Sequence, residues 1–393
     1  MQPTPVTEHV ALLDILRGVA IFGMFTVNMS ADIWWGKSYV YADLALADFT
    51  TMVLVDLFSH GKFVTIFSFL FGVGFFVQAQ RKLSRGEPLT WFWCRRLLAL
   101  SFIGVSACLL SLPAWILIDY ALFGVALLLF YRWEATPILV AGLVLILAAK
   151  LFGTNWFANL TSGTESLQSL NVREHGTLAE IARHTAGQLT EAFFDWRYIL
   201  KNLDIPGLML IGLYVGRRGA IWDRVVQTRM ARRMLPWLLS VGFAGCAFWV
   251  AMEDFGVMDP ASRLQRVLTS FAAWPLGMPV LGLGYVAAMT LLIDRPAWSR
   301  LLTRFAPIGR MALTNYLFTG FVAAFLSLSW GLGLYGEILP AVGVALTIAL
   351  LPLQMWASRW WLAHFAFGPV EWLWRAATYG QLPTMRRRSE TSP

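Results

Sequence analysis

Long apolar segments recur along most of this sequence, and they constrain the fold more than any other feature. Runs near or above the roughly 18 to 20 residues that cross a lipid bilayer extend from Val10 to Arg359, separated by short polar or basic stretches. Lipid offers no hydrogen-bond partners to the backbone, so spanning segments must be helices or strands of a closed barrel. The runs lack the alternating pattern of strands. The sequence therefore predicts an all-α, polytopic integral membrane protein.

The apolar runs divide into about ten predicted transmembrane helices, which form a single transmembrane domain over residues 1–393. The segments 43–57 and 361–378 have the composition of interfacial amphipathic helices. Only 14% of the residues are charged, against about 25% in a soluble domain. The approximate ranges of the predicted spans are 10–31, 58–79, 97–112, 114–131, 135–153, 200–216, 234–252, 268–293, 310–328 and 337–358.

The distribution of basic residues predicts the orientation of the chain. Ten spans leave both termini on one side of the membrane, and most Lys and Arg fall in loops on that side, as in 217–233 and 295–310. Because such loops are typically cytoplasmic, the sequence predicts an N-in, C-in protein of the cytoplasmic membrane that ends in a disordered basic tail over 379–393. The net charge of +8 reflects this topology and requires no nucleic-acid partner.

One long connection, 154–199, is extracytoplasmic in this topology. Its second part, from Leu178 to Trp196, has the pattern of an amphipathic helix. Such a helix either covers an external substrate site or rests on the outer leaflet, and the sequence leaves both interpretations open.

The first span carries more polar residues than a lipid-facing helix tolerates. Asp14 and Arg17 are three residues apart and can pair on one helix face. Asn28 lies about three turns beyond Arg17, which returns it to nearly the same face about 16 Å away. The span thus has a polar stripe that indicates either a functional site or a charge pair that anchors the helix at the interface.

Further ionisable residues lie near the predicted external ends of other spans. His60 and Lys62 precede a Phe-rich run, and His60 has the chemistry of a general base or an acyl acceptor. Both residues are also compatible with a plain interfacial position. Asp119 and Asp204 are the other acidic candidates for a polar site within the membrane.

A second polar cluster lies at the start of the ninth predicted span. Arg310 has the chemistry to pair with the phosphate oxygens of a ligand, and Thr314, Asn315 and Tyr316 follow it. The same residues also suit hydrogen bonding between helices. Glu371 lies in the last amphipathic segment. No cluster in the sequence, including its three cysteines, has metal-ligand spacing, so no metal is expected.

Several segments in combination resemble one family. They are similar to the YeiB-like bacterial membrane proteins, which carry the domain of unknown function 418 in their C-terminal half, here 217–393. The resemblance implies a multi-pass protein of the bacterial inner membrane. The segments that carry it are 13–20 with Asp14 and Arg17, Asn28, 61–63 with 67–72, 309–316 and 368–375.

The first span is also similar, at a greater distance, to that of transmembrane acyltransferases. Asn28 stands where one branch of these enzymes has a His, as it does in the heparan-glucosaminide N-acetyltransferase branch, whose catalytic His lies in the loop after the first span. In this sequence His60 is the nearest candidate. The resemblance implies a cytoplasmic acyl-CoA donor bound by Arg17 and Arg310, with His60 as base or acyl carrier and a glycan or another hydroxyl or amino acceptor outside.

Two other functions remain open from the sequence. A transporter or channel for a small or lipid-linked solute would line its path with residues such as Asp14, Arg17, Asp119 and Asp204. A non-catalytic assembly or sensory protein would use the same residues for structure. The expected partners are membrane lipids, a glycan or lipid-linked acceptor, and a second copy of the chain.

Overall fold

The computed structural model describes residues 6–32, 45–153, 172, 175–219, 223–255, 257 and 262–386. Within these residues the protein is helical, and the β-structure is limited to a single bridge between Phe365 and Arg386. The predicted all-α class is confirmed. Residues 33–44 and most of the first part of the long predicted connection, 154–171, lie outside the described residues.

Eighteen α-helices are used in the description below, numbered in chain order over the described residues. They are α1 Val6–Val27, α2 Leu46–Phe58, α3 Lys62–Leu83, α4 Leu89–Leu109, α5 Trp115–Phe123, α6 Ala126–Phe130, α7 Ala135–Gly153, α8 Leu178–Phe194, α9 Trp196–Lys201, α10 Asp204–Arg217, α11 Arg224–Glu253, α12 Arg263–Phe271, α13 Met278–Leu292, α14 Pro296–Leu302, α15 Ala306–Arg310, α16 Ala312–Ser327, α17 Pro340–His364 and α18 Pro369–Tyr379.

Among the described residues, six helical segments are long and apolar enough to cross a membrane, which supports the prediction of a membrane protein. Three shorter apolar helical segments accompany them. The predicted number of about ten transmembrane helices is not confirmed. Helix α10, for example, has 14 residues and a length of about 21 Å, less than the roughly 30 Å of a hydrocarbon core. The six segments are Ala11–Ser30, Leu46–Leu83, Leu89–Leu109, Arg224–Glu253, Leu264–Leu292 and Pro340–His364.

Two of these long segments are interrupted. Between α2 and α3 the chain passes through Ser59–Gly61, where Gly61 has a positive φ of 74°. Between α12 and α13 the π-helical stretch Ala272–Gly277 contains Pro275. The two interruptions are neighbours, because a Cβ atom at Gly61 would meet the side chain of Met278. This pair of breaks was not predicted from the sequence.

Helices α1 and α3 form an antiparallel pair at the centre of the protein. The Phe63 ring, near the start of α3, packs against Gly23, whereas Gly74, near the middle of α3, lies beside Arg17. Helix α3 also packs closely against α10, and the main hydrophobic core extends from this group to α4 and α5. The fully buried Trp93 donates its indole N–H to the carbonyl of Gly124 at 3.0 Å.

The amphipathic helix predicted near Leu178 to Trp196 is present as α8. It begins with a capping box in which Thr177 and Glu180 exchange hydrogen bonds. Its apolar side is partly buried, because Ile181 and Leu189 are 3% and 6% exposed, and Leu189 belongs to the main core. Helix α8 is therefore packed onto the bundle.

The C-terminal segment differs from the sequence-based boundaries. The predicted interfacial helix 361–378 is divided, because α17 continues to His364 and α18 begins at Pro369. Part of the segment predicted as a disordered tail, 379–393, makes contacts with the preceding residues. The Ala366 N–H donates to the carbonyl of Met385 at 2.9 Å, and the Trp372 indole donates to the carbonyl of Pro383 at 2.7 Å. Residues 387–393 lie outside the described residues.

Candidate functional site

The charge pair predicted in the first span is formed. Arg17 Nη1 lies 3.0 Å from Asp14 Oδ1, one turn away on the same face of α1. The Asp14 side chain is 11% exposed and that of Arg17 is 30% exposed. The carboxylate is therefore held inside the bundle while the guanidinium retains access to solvent.

Helix α15 places a second arginine beside this pair. Gly309 lies so close to α1 that an added Cβ atom would overlap the Asp14 carbonyl oxygen. Arg310 follows directly and, with Arg17, is one of the two cations that act on the Asp14 carboxylate. Its side chain is exposed. The two arginines assigned to donor binding thus lie at one carboxylate, although they are far apart in the sequence.

A third arginine, Arg96 of α4, joins this group and was missed as a site residue. Its guanidinium carbon lies 3.6 Å from the centre of the Trp374 ring, and Trp374 donates its indole N–H to the Arg96 carbonyl at 2.9 Å. Arg17 and Arg375 are among its charged neighbours. The Arg96 Nε atom is buried and has no hydrogen-bond partner among the described residues.

We call Asp14, Arg17, Arg96 and Arg310 the arginine cluster. It contains three guanidinium groups and one carboxylate, so it carries an excess of positive charge next to solvent. Guanidinium groups bind phosphate oxygens through paired hydrogen bonds, and a buried Nε–H without a partner is an unused donor. The cluster therefore has the chemistry of an anion site.

Thr314 and Glu371, also predicted as site residues, connect two helices. Glu371 Oε1 accepts hydrogen bonds from the backbone N–H groups of Leu313 and Thr314 at 2.6 and 3.0 Å, at the start of α16. Its Oε2 accepts from the Thr314 hydroxyl at 2.5 Å, and the same hydroxyl accepts from the Val370 N–H at 3.1 Å. Glu371 therefore caps α16 from α18 and holds α18 against it.

Asn315 and Tyr316 likewise bond to neighbouring helices. The Asn315 amide donates to the carbonyls of Ile308 and Met311 and to the Ser358 hydroxyl, at 3.0 to 3.2 Å. The Tyr316 hydroxyl donates to the Pro113 carbonyl at 2.6 Å. The 309–316 segment was given two interpretations, a ligand site and hydrogen bonding between helices. Arg310 fits the first, and Thr314, Asn315 and Tyr316 fit the second.

Glu371 lies outside the long apolar segments, and its titration gives a test of its capping role. Burial raises the pKa of Glu371 above its ordinary value of 4.5, while the hydrogen bonds from Thr314 and Leu313 act in the opposite direction. Because the folded protein then holds this proton to higher pH than the unfolded chain, the free energy of unfolding is expected to fall as pH rises from about 4.5 through the raised pKa.

Glu371→Gln cannot titrate and is expected to lack this component of the pH dependence. The measurement is the melting temperature of the wild type and the variant in detergent across that pH range. The wild type should lose stability relative to the variant as pH rises. A difference between the two proteins that stays constant with pH would contradict the prediction.

The predicted catalytic residue, His60, lies at the interruption between α2 and α3. Its Nδ1 is 2.9 Å from Asp56 Oδ1. An ionised carboxylate only accepts hydrogen bonds, so Nδ1 donates and, in the neutral ring, Nε2 carries the lone pair. The Asp56 side chain is 9% exposed, that of His60 is 29% exposed, and the edge of the imidazole packs against Trp249 at 5.7 Å between ring centres. This is the arrangement of an oriented general base.

Lys62 fixes the same interruption from inside the protein. Its side chain is fully buried, and Nζ donates to the carbonyl of Asp56 at 2.5 Å and hydrogen bonds with the thiol of Cys246 on α11. Lys62 thus satisfies a carbonyl that the end of α2 leaves without an intrahelical donor. Tyr285 of α13 donates to the next such carbonyl, that of Phe58, at 3.1 Å.

The other predicted polar residues lie at the same end of the bundle as His60. Asp119 Oδ1 accepts from the Tyr198 hydroxyl at 2.6 Å. The cation that acts most strongly on the Asp204 carboxyl is Lys150. Asn28 begins a π-helical turn at the end of α1. Among the described residues no group of three or more His, Cys, Asp or Glu could hold a metal ion.

His60 therefore lies at the start of α3, and the arginine cluster lies beside the middle of the α1–α3 pair. Arg17 is level with Gly74, and Lys62 is next to the His60 break. The twelve residues from Lys62 to Gly74 correspond to about 18 Å along the helix. Any reaction that uses both groups needs a ligand that extends over this distance.

These features define a polytopic α-helical membrane protein with charged groups fixed inside its helical bundle. Residues 215–381 match the family model described as protein of unknown function (DUF418). The chain is 30% identical to the uncharacterized protein YxaH of Bacillus subtilis (strain 168) over 96% of each chain. It is 27% identical to the uncharacterized protein YeiB of Escherichia coli (strain K12) over 94% of this chain and 96% of the relative.

The chain therefore belongs to the DUF418 family and is a YeiB-like protein. No solved structure matches it. The predicted family resemblance is confirmed.

Proposed function

We propose that the protein is a membrane-bound acyltransferase that moves an acyl group from acyl-CoA, through the bundle, to a hydroxyl or amino acceptor on the other side. The observation that carries the proposal is the separation of two groups by about 18 Å along α3, with His60 at the start of that helix and the arginine cluster beside its middle. The arginine cluster has the charge to bind phosphates, and His60 is oriented by Asp56 as a base.

The separation of about 18 Å between the two groups selects the type of donor. A small acyl phosphate held by the arginine cluster would keep its reactive carbonyl at the same end. In acyl-CoA a long pantetheine arm separates the phosphates from the thioester. The arrangement therefore favours acyl-CoA, with its phosphates at Arg17, Arg96 and Arg310 and its thioester near His60.

The proposed step balances without a further co-reactant. His60 Nε2 accepts the proton of the acceptor hydroxyl as its oxygen attacks the thioester carbonyl, so a C–O bond forms and the C–S bond breaks. The proton then passes from the imidazole to the leaving thiolate. The products are an ester, or an amide from an amino acceptor, and free CoA. Asp56 holds the ring in the tautomer that this step requires.

The proposal includes the bacterial cytoplasmic membrane as the location, with both termini inside. It follows that the arginine cluster faces the compartment that contains acyl-CoA, and that His60 faces an external glycan or lipid-linked acceptor. The accumulation of Lys and Arg in the loops at the terminal end supports this orientation.

Donor binding is the first test. Acetyl-CoA is expected to raise the melting temperature of the purified, detergent-solubilised protein in a saturable manner, by an amount that corresponds to about 2.7 kcal/mol at a hundredfold excess over Kd. Arg17→Ala is expected to weaken binding by about 10- to 100-fold, because it removes charge-assisted hydrogen bonds to a phosphate.

The control must separate lost binding from damage to the fold, because Arg17→Ala leaves Asp14 without its ion-pair partner. Asp14→Asn combined with Arg17→Ala removes both charges and should restore stability while donor binding stays weak. Arg85→Ala, in the exposed turn after α3, should bind as the wild type does. Unchanged acetyl-CoA binding in the folded double variant would contradict the proposal.

A second function is favoured by the neighbouring interruptions at Ser59–Gly61 and Ala272–Gly277. Broken helices with buried polar groups, here Lys62 and Asp56, form the solute sites of many transporters. A transporter would move solute in sealed liposomes without acyl-CoA. Flux that does not depend on acyl-CoA, together with no acyl transfer, would favour this function over the first.

A further inference from the structure

A basic groove on the α11, α13 and α14 helices shares no lining residue with the arginine cluster or with His60. Helix α11 has 30 residues and is about 45 Å long, which exceeds the roughly 30 Å of a hydrocarbon core. One or both of its ends must therefore extend past the acyl chains. Its first turns carry Arg229, Arg232 and Arg233, the residues that hydrocarbon disfavours most, so this end lies at headgroup level.

The groove consists of two cavities that have the lining residue Arg232 in common. One has a volume of about 320 Å³ and lies between α11 and the end of α13, and the other has about 500 Å³ and lies along the exposed face of α11. The first is lined by Arg232, Leu291, Leu292, Asp294, Arg295 and Trp298. The second is lined by Val225, Thr228, Arg229, Arg232 and Arg233.

The charges in this groove are not balanced from within. Asp294 is the one carboxylate among the lining residues, and it already pairs with Arg224 at 2.6 Å. Arg224 also donates to the carbonyl of Thr290 at 2.7 Å, which fixes α11 against α13. Across the described part of the chain, no ion pair engages Arg232 or Arg295. The groove therefore presents cations that lack an internal counter-ion.

Apolar and aromatic groups accompany these cations. Leu291 and Leu292 line the groove between the helices, and the Trp298 side chain at its rim is 48% exposed. Trp237, one turn beyond Arg233 on α11, is 70% exposed. Indole rings at this depth are typical of the boundary between headgroups and acyl chains. The groove thus combines an anion site with an apolar surface that continues toward the membrane.

We propose that this groove binds an anionic phospholipid, with its phosphate between Arg232 and Arg295 and the start of its acyl chains against Leu291, Leu292 and Trp298. A free phosphate ion would use only the arginines and leave the apolar lining in contact with water. A lipid contacts both the arginines and the apolar lining, and it joins α11 to α14. Basic pockets at helix ends are known to select anionic headgroups in this way.

The test measures the melting temperature of the full chain in a neutral detergent, with phosphatidylglycerol, phosphatidylcholine or inorganic phosphate added at equal concentration. Phosphatidylglycerol is expected to stabilise the wild type, and the two other additives much less. Arg232→Gln combined with Arg295→Gln is expected to weaken the apparent affinity for phosphatidylglycerol by about 30-fold, from the loss of two cations at the membrane surface.

Arg85→Gln is the matched control, because it removes an exposed arginine elsewhere and should keep the full effect. Both substituted residues are exposed, so the variant is expected to fold; if its melt is not cooperative, native mass spectrometry of the two single variants counts bound lipid instead. Equal stabilisation by phosphatidylcholine, or an unchanged response of the double variant, would overturn the proposal. Full stabilisation by inorganic phosphate alone would identify a free-anion site and would also overturn it.

Discussion

His60→Ala is expected to lower acyl transfer by about 10²- to 10⁴-fold and to leave acetyl-CoA binding unchanged. The size of the effect is that of removing a general base from a reacting hydroxyl. Binding should persist because the arginine cluster lies about 18 Å away along α3. The measurement is transfer of radiolabelled acetyl from acetyl-CoA to the glycan and lipid fractions of membrane vesicles that contain the protein.

Asp56→Asn gives a graded companion to this variant. The side chain can still accept a hydrogen bond from His60 Nδ1, but it no longer stabilises the imidazolium that forms during proton transfer. Asp56→Asn should therefore lower the rate of acyl transfer measurably, but by less than His60→Ala does. His364→Ala is the control, since His364 is an exposed histidine at the end of α17 that the proposed reaction does not use.

Two results would separate the interpretations of His60. If His60→Ala transfers acetyl at the wild-type rate, His60 is not the base and the proposed mechanism is wrong, even if acetyl-CoA binds. If His60→Ala loses both transfer and donor binding, the variant reports on the fold at the α2–α3 interruption, and the circular dichroism melt of the same sample should show that damage.

The local features of the candidate site could be predicted from the sequence. Asp14 and Arg17 pair because a spacing of three residues in a helix brings their side chains together whatever the rest of the fold does. The capping box of α8 is equally local, since Thr177 and Glu180 need only the first turn of their own helix. Asp56 and His60 also have a local spacing of four residues, but the predicted boundary between 43–57 and 58–79 places them in different segments.

The remaining parts of the site depend on contacts between residues that are distant in the chain. Arg96 was not among the predicted site residues, because nothing near it in sequence indicates that Trp374 will stack on it. Glu371 could be identified as a polar residue of an amphipathic segment. Its capping of α16, however, requires α18 to fold back onto that helix. Hydropathy specifies which segments enter the membrane and leaves their neighbours undetermined.

One of the closest interhelical contacts, that between α3 and α10, supports a prediction about folding, with two glycines in α3 as a matched pair. An added Cβ atom at Gly72 of α3 would overlap the carbonyl oxygen of Met209, and on the facing helix α10 one at Gly212 would overlap that of Phe69. The backbones of α3 and α10 thus meet directly. At Gly74, by contrast, the nearest atom to an added Cβ among the described residues is Arg17 Nη2 at 3.8 Å, an ordinary contact distance.

Gly72→Ala is therefore expected to destabilise the protein by about 3 kcal/mol, because the overlapping atom is backbone and the two helices must separate to relieve it. Gly74→Ala introduces the same methyl group with the same gain in helix propensity, up to about 1 kcal/mol, and should be neutral or slightly stabilising. The measurement is the melting temperature and the folded, monodisperse fraction of each variant in detergent. Since both substitutions alter the unfolded chain alike, the difference between them isolates the α3–α10 contact. Equal stability of the two variants would mean that α3 and α10 do not approach as closely as described. The position of α3, which begins at Lys62 and faces Arg17 near its middle, would then have to be revised as well.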